Sequence, residues 1–215
     1  KITRRYFESN HHIGHRLVAA IRGFGTLGED GRTVLEVSTS AHDAAIALAW
    51  DSVVEKDDHV YILGDLSISQ TGAVGDYVFD WLNKRPGVKH LIFGNHDGTH
   101  PAHSKAIKEQ QRPIWRETFA TMNVFVRIKW EGRTLLLSHF PYEGEGDADG
   151  RGVEERFTEY RLKDAGHALL YGHTHDKNTQ EGFSELGTPI YHVGLDSHGL
   201  RLVPEETIAE WLSRV

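Results

Sequence analysis

The feature that most constrains this chain is a pattern repeated four times. A short apolar run breaks into glycine or serine, then into a side chain able to bind metal or carry a proton. Leu91-Ile92-Phe93 runs into Gly94-Asn95-His96-Asp97, and Val60-Tyr61-Ile62-Leu63 into Gly64-Asp65. Leu135-Leu136-Leu137 runs into Ser138-His139, and Ala168-Leu169-Leu170-Tyr171 into Gly172-His173-Thr174-His175. Unbroken hydrophobicity of this kind marks a strand buried on both faces. Asp, Asn and His are therefore delivered to the C-terminal ends of strands, the edge where open α/β sheets bind ligands. A polar turn accounts for one such ending; four in one chain point to a common site.

Composition narrows the chemistry. The 215 residues suffice for one sizeable α/β domain spanning 1–215, and no linker or internal repeat divides them. The absence of cysteine excludes disulfides, thiolate metal sites and cysteine nucleophiles. It also fits a reducing compartment, so a cytoplasmic protein is expected. A formal charge of −7 argues against a duplex nucleic-acid partner. No apolar run approaches the roughly 18 residues of a membrane span. The segment Lys1–Phe7 lacks the apolar core of a secretory signal, and a start without Met points to trimming. Fifteen histidines against a single Met are the unusual count, since imidazole is the commonest metal ligand.

Periodicity and punctuation predict a strand near residues 2–7 and a loop or short hairpin over 23–38. Ser40 with Asp43 resembles a capping box opening a helix at about 41–54, with Ile46, Ala49, Trp50 and Val53 on one face. A strand at about 59–63, a helix at about 73–84 stopped by Pro86-Gly87, and a strand at about 88–93 follow. Residues 98–112 read as loop with a short helix, and about 114–120 as a helix. A hairpin turned by Glu131-Gly132 is expected over 123–130 and 133–138, its apolar residues serving the core or a homodimer. The glycine- and acid-rich segment 143–152 reads as a mobile loop. Strands at about 167–171 and 189–194 and a helix at about 205–213, entered through Pro204, complete the chain.

The strand-end residues together make a two-metal site. Oxygen and nitrogen donors without sulfur suit manganese, iron, nickel or zinc. Asp65 is the natural bridging carboxylate, and His173 and His175, one residue apart, can each face a different ion.

The ordered series resembles the calcineurin-like metallophosphoesterase superfamily, whose signature is D-x-H, G-D, G-N-H-[DE], a lone H, then G-H-x-H. The likeness runs from Asn10 to His175. Ser9-Asn10-His11-His12-Ile13-Gly14-His15 and His192-Val193-Gly194-Leu195-Asp196 resemble its small phage and bacterial branch. The resemblance implies a four-layer α-β-β-α sandwich of two mixed sheets with the metals at one edge. Asn10, His12, Asp65 and His175 would hold a first divalent ion, and Asp65, Asn95, His139 and His173 a second. The ions would activate water for attack on phosphorus. His96 would protonate the leaving oxygen or stabilise the transition state, and Asp97 would orient His96. The implied activity is a phosphodiesterase acting on small diesters such as cyclic nucleotides, with manganese foremost among the metals.

Asn10 departs from the family's Asp, which removes one negative charge beside two dications. A natural variant, an engineered substitution, or a ligand supplied by His11 or His15 each accounts for it. His15 and Tyr142 are candidate substrate contacts on the rim, and Arg151 and Arg156 flank the acidic loop; His42, His90, His100 and His103 read as surface residues. Gly64-Asp65-Leu66-Ser67-Ile68-Ser69 lacks the arginine typical of protein phosphatases in the superfamily. A nuclease acting on single strands or RNA ends would need a basic or aromatic platform, and Arg127, Lys129 and Trp130 are too few for one. A non-catalytic interaction module is the reading from another class, and Asn10 is what favours it.

Overall fold

A computed structural model of the chain describes residues 3–147 and 155–215. In chain order the elements are β1 (Arg5–Glu8), α1 (Arg16–Ala19), β2 (Gly25–Leu27), β3 (Val34–Val37), α2 (Thr39–Asp51), β4 (His59–Ile62) and α3 (Gly72–Asn83). They continue with β5 (Val88–Ile92), α4 (Ala106–Gln110), α5 (Pro113–Thr118), β6 (Thr121–Asn123), β7 (Phe125–Trp130) and β8 (Arg133–Ser138). Last come β9 (Ala168–Tyr171), β10 (Glu181–Phe183), β11 (Pro189–His192), β12 (Val203–Pro204) and α6 (Glu205–Arg214).

Two five-stranded mixed sheets result. The first has the order β12-β1-β4-β5-β6 and the second β10-β11-β9-β8-β7. In the first, β1, β4, β5 and β6 run parallel and only β12 is reversed. In the second, β8, β9 and β11 run parallel, flanked by antiparallel β7 and β10. The parallel strands bring their C-terminal ends to one edge in each sheet, and a Ser9–Gly194 parallel bridge joins the two edges.

The period-2 alternation of a strand explains the layering. Tyr6, Val60, Ile62 and Leu91 face one way, into a core with Ile46 and Trp50 of α2, Val78 and Leu82 of α3 and Trp115 of α5. Their neighbours Phe7, Leu63 and Ile92 face the other way, onto Leu135, Leu137, Leu170 and Tyr191 of the second sheet and Trp211 of α6. Leu136, Leu169 and Ile190 fill the far face of the second sheet. The sandwich reading put a helical layer there; among the described residues this face packs against Tyr142 and Leu162 of a connecting segment.

Local chemistry corrects two details. Ser38, not Ser40, caps α2 by accepting from Ala41 N at 3.2 Å, while Asp43 turns inward to accept from Gly14 N and the Tyr77 hydroxyl. Along α2 the buried positions are His42, Asp43, Ile46 and Trp50, and Val53 beyond it is 40% exposed. The hairpin of β7 and β8 turns at Glu131 and Gly132 with φ of 47° and 83°, the left-handed pair a two-residue hairpin loop requires. No helix among the described residues is long and apolar enough to cross a membrane.

Candidate metal centre

The residues singled out at the strand ends meet where the two sheet edges converge. Asn10 and His12 follow β1, Asp65 follows β4, Asn95 and His96 follow β5, His139 follows β8, and His173 and His175 follow β9. Close approach of these turns depends on Gly64 and Gly94. A Cβ on Gly64 would lie 2.3 Å from Gly94 N and 2.9 Å from His139 Nδ1, and Gly64 sits at φ 81°. Any side chain at either position would push the Asp65 and Asn95 turns apart.

Backbone conformation singles out the same residues. Among the described residues, eight other than glycine have positive φ, and five of them are Asn10, His12, Asp65, His173 and His175. Such conformations concentrate where a site over-determines the chain.

Asp65 lies between two groups of donors. On one side its Oδ2 is 3.7 Å from His12 Nε2, which in turn is 3.1 Å from His175 Nε2. On the other its Oδ2 is 3.5 Å from His139 Nε2, itself 3.1 Å from Asn95 Oδ1. Donor atoms of Asp65, His139 and His173 all fall within 4.8 Å of one another.

Outward hydrogen bonds fix which ring nitrogens face inward. His139 Nδ1 donates to Leu63 O at 2.6 Å, and His175 Nδ1 to Asp196 Oδ2 at 2.9 Å. Each therefore turns an unprotonated Nε2 toward the centre. His139 Nε2, Asn95 Oδ1 and Asp65 Oδ2 are then three acceptors crowded together, an arrangement that repels unless a cation sits among them. Separations near 3 Å suit nitrogen and oxygen donors each about 2.1 Å from one ion. The residues fit a divalent metal centre.

Electrostatics agree. Burial holds His139 neutral down to about 3 and takes His12 well below the usual histidine range, leaving imidazoles able to ligate. Burial alone would raise Asp65, but electrostatic attraction to the neighbouring His139 and His96 imidazoles and the His96 N–H bond at 2.9 Å hold it below the usual carboxylate range.

Asn10 is completely buried. Its Oδ1 accepts from His173 N at 3.3 Å and lies 3.0 Å from the Ser9 hydroxyl, so the amide is tied to the second sheet's edge. His96 is exposed at the mouth, its ring 5.5 Å from that of His12. His15 is half-buried 5.5 Å from His12, with Nδ1 accepting from Val18 N as the cap of α1.

Other expectations are corrected. Asp97 does not orient His96: its carboxylate accepts from the backbone N–H groups of Asp65, Leu66 and Gly94 at 3.1, 2.9 and 2.8 Å, stapling the Asp65 and Asn95 turns together. Burial and the neighbouring Asp65 push it up to about 7. Tyr142 is not on the rim; it is buried in the second sheet's outer cluster and its hydroxyl donates to His167 O at 2.5 Å. His42, His90 and His100 are buried rather than on the surface, whereas exposed His103 reaches Asn95 O through Nε2 at 2.8 Å. Trp130, weighed as part of a nucleic-acid platform, is in the inter-sheet core. Arg151 lies outside the described residues.

The sequence reading missed two supports. Asp196, which backs His175, is gripped by Arg22 at 2.9 and 2.7 Å, and Arg22 also donates to Asn10 O at 2.7 Å and His11 O at 3.1 Å. Arg22 lies in a π-helical segment, Ala20–Phe24, that continues α1, where no motif drew attention to it. The other support, Asp147, is 3.1 Å from His173 Nε2.

No family model matches the chain. A solved structure, that of a protein of unknown function from Aquifex aeolicus, has the same fold, with a TM-score of 0.62 at 18% identity over 98% of this chain and 100% of that one. Two curated phage proteins are much closer in sequence. The gene 66 protein of Mycobacterium phage L5 is 38% identical over 98% of this chain and 94% of its own length. That of Mycobacterium phage D29 is 38% identical over 98% and 96%. With likeness at that level along almost the whole of both chains, this protein belongs to the family of the mycobacteriophage gene 66 proteins.

Proposed function

We propose that the chain is a metal-dependent phosphoesterase of the calcineurin-like type, hydrolysing small phosphodiesters such as cyclic nucleotides. The observation that carries the reading is the position of Asp65, 3.7 Å from His12 on one side and 3.5 Å from His139 on the other. A carboxylate so placed can serve two ions at once. His12, His175 and Asn10 would complete one half of the site, and Asn95, His139 and His173 the other. When bound, two divalent ions, manganese foremost, would lower the pKa of water towards neutrality and offset charge on the phosphoryl group.

The chain's own groups account for the remaining work. His96 stands at the solvent side of the cluster, held by its backbone bond to Asp65, where its ring can protonate a departing oxygen. Asp97 keeps the Asp65 and Asn95 turns in register through the three backbone bonds described above. Phe140, 4.8 Å from the His173 ring, walls one side and limits water there.

The test is hydrolysis of bis(p-nitrophenyl) phosphate against p-nitrophenyl phosphate with added manganese. Turnover of the diester is expected to vanish on chelation. His96→Ala is expected to lose at least about 100-fold in rate while still binding metal. A protein that binds no divalent ion and turns over neither ester would refute the proposal and favour the interaction-module reading that Asn10 suggests.

A further inference from the structure

The glycine- and acid-rich loop takes no part in the chemistry just described, yet its Asp147 reaches the cluster. The Asp147 side chain is only 2% exposed. Oδ1 lies 3.1 Å from His173 Nε2, Oδ2 accepts from Arg156 Nε at 2.6 Å, and Arg161 Nη2 bonds Oδ1 as well. Arg161 is fully buried and reaches both flanks of the loop, bonding Gly146 O at 3.1 Å, Arg156 O at 3.0 Å and Glu155 Oε1 at 2.8 Å. Glu155 in turn accepts from Gly144 N at 3.0 Å and Gly146 N at 3.2 Å. Asp147 is thus carried on a built support.

The contact completes a pattern. His139 is backed by Leu63 O and His175 by Asp196, each through the ring nitrogen that faces away from the centre. His173 is backed by Asp147 through Nε2, which leaves Nδ1 as the ring nitrogen free to ligate. Partners of this kind fix the tautomer of a ligating imidazole and raise its basicity.

We propose that Asp147 is a positioning residue for His173 and so sets the affinity and electronic character of the metal held with Asp65 and His139. The inference rests on the reading of those three residues as ligands. It needs no contact between Asp147 and the ion itself.

The test uses the full chain, stripped of metal and titrated with Mn²⁺ by calorimetry and with Co²⁺ by visible absorption. Asp147→Asn is expected to weaken binding at one of two sites by about 10-fold or more and to shift the Co²⁺ bands. Asp147→Glu is expected to recover part of both. Glu155→Gln loosens the same Arg161 support without touching His173, and is expected to leave affinity and spectrum unchanged. Affinity within twofold of the parent in Asp147→Asn would overturn the inference, as would equal losses in Asp147→Asn and Glu155→Gln, which would reduce Asp147 to part of the Arg161 support. A parent protein that binds neither ion would instead sink the metal-centre reading itself.

Discussion

Asn10→Asp isolates the effect of one charge at the centre. The side chain is completely buried, and its Nδ2 has no hydrogen-bond partner. It faces Gly194, where a Cβ would lie 3.3 Å from Asn10 Nδ2 and 2.7 Å from His192 Nε2. In the variant one carboxylate oxygen would keep the His173 N–H, while the other would take the place of Nδ2 with no donor. Without a cation that oxygen must either hold an unpaired buried charge or take up a proton against its ordinary pKa. The expected cost is about 3 kcal/mol. At about 2–4 °C per kcal/mol for a chain of this size, the metal-free melting midpoint falls by roughly 6–12 °C. On the proposed ligand set, with divalent ions present the same charge would join His12 and His175 around a cation, and binding is expected to tighten about 10-fold or more. The interval between metal-free and manganese-saturated midpoints must therefore widen. Scanning calorimetry of both proteins, in chelator and in excess manganese, measures all four values. Equal intervals, or a metal-free variant as stable as its parent, would refute the reasoning.

Glu8 and His11 are both completely buried, with Oε1 3.1 Å from Nε2; burial lifts Glu8 well above the usual carboxylate range and takes His11 to about 3, so the pair is neutral. Glu8→Gln should then change unfolding in urea by less than about 1 kcal/mol, whereas Glu8→Ala should cost about 2–4 kcal/mol; equal large losses would indicate an ion pair. Burial also lowers His90, His100 and His192 to about 4 each. Because the folded chain binds fewer protons there than the unfolded one, the stability these groups contribute is complete above pH 6.5 and is lost as pH falls towards 4. A melting midpoint that stays level from pH 7 to 4.5 would contradict this.

The edge where these polar side chains meet was legible in the sequence because unbroken apolar runs leave few alternatives to a buried strand, and each run ended in Asp, Asn or His. The Glu131-Gly132 turn was legible because its backbone needs positive φ at both positions. Arg22 and Asp147 were not, because each meets its partner through tertiary approach: Arg22 finds Asp196 across 174 positions. Polarity alone places His42, His90 and His100 on the surface. Their burial rests on partners no local pattern discloses, such as His59 Nδ1, 2.7 Å from His90 Nε2, and Asp43 Oδ1, 2.8 Å from His42 Nδ1. Asp97 stood beside His96 in the motif, but adjacency says nothing about the three backbone amides it serves.

The left-handed backbone at Asn10, His12, Asp65, His173 and His175 sets a limit on what selection for robustness can do. Each such residue costs about 1 kcal/mol or more relative to glycine. Five together amount to roughly 5 kcal/mol, comparable to the whole net stability of many domains. Glycine at any of them would relax the chain and remove a donor in the same step. Deleting so buried a side chain costs about 2–5 kcal/mol in lost packing, more than the backbone would regain, so glycine at Asn10, His12 or Asp65 is expected to lower the melting midpoint even as it relieves the strain.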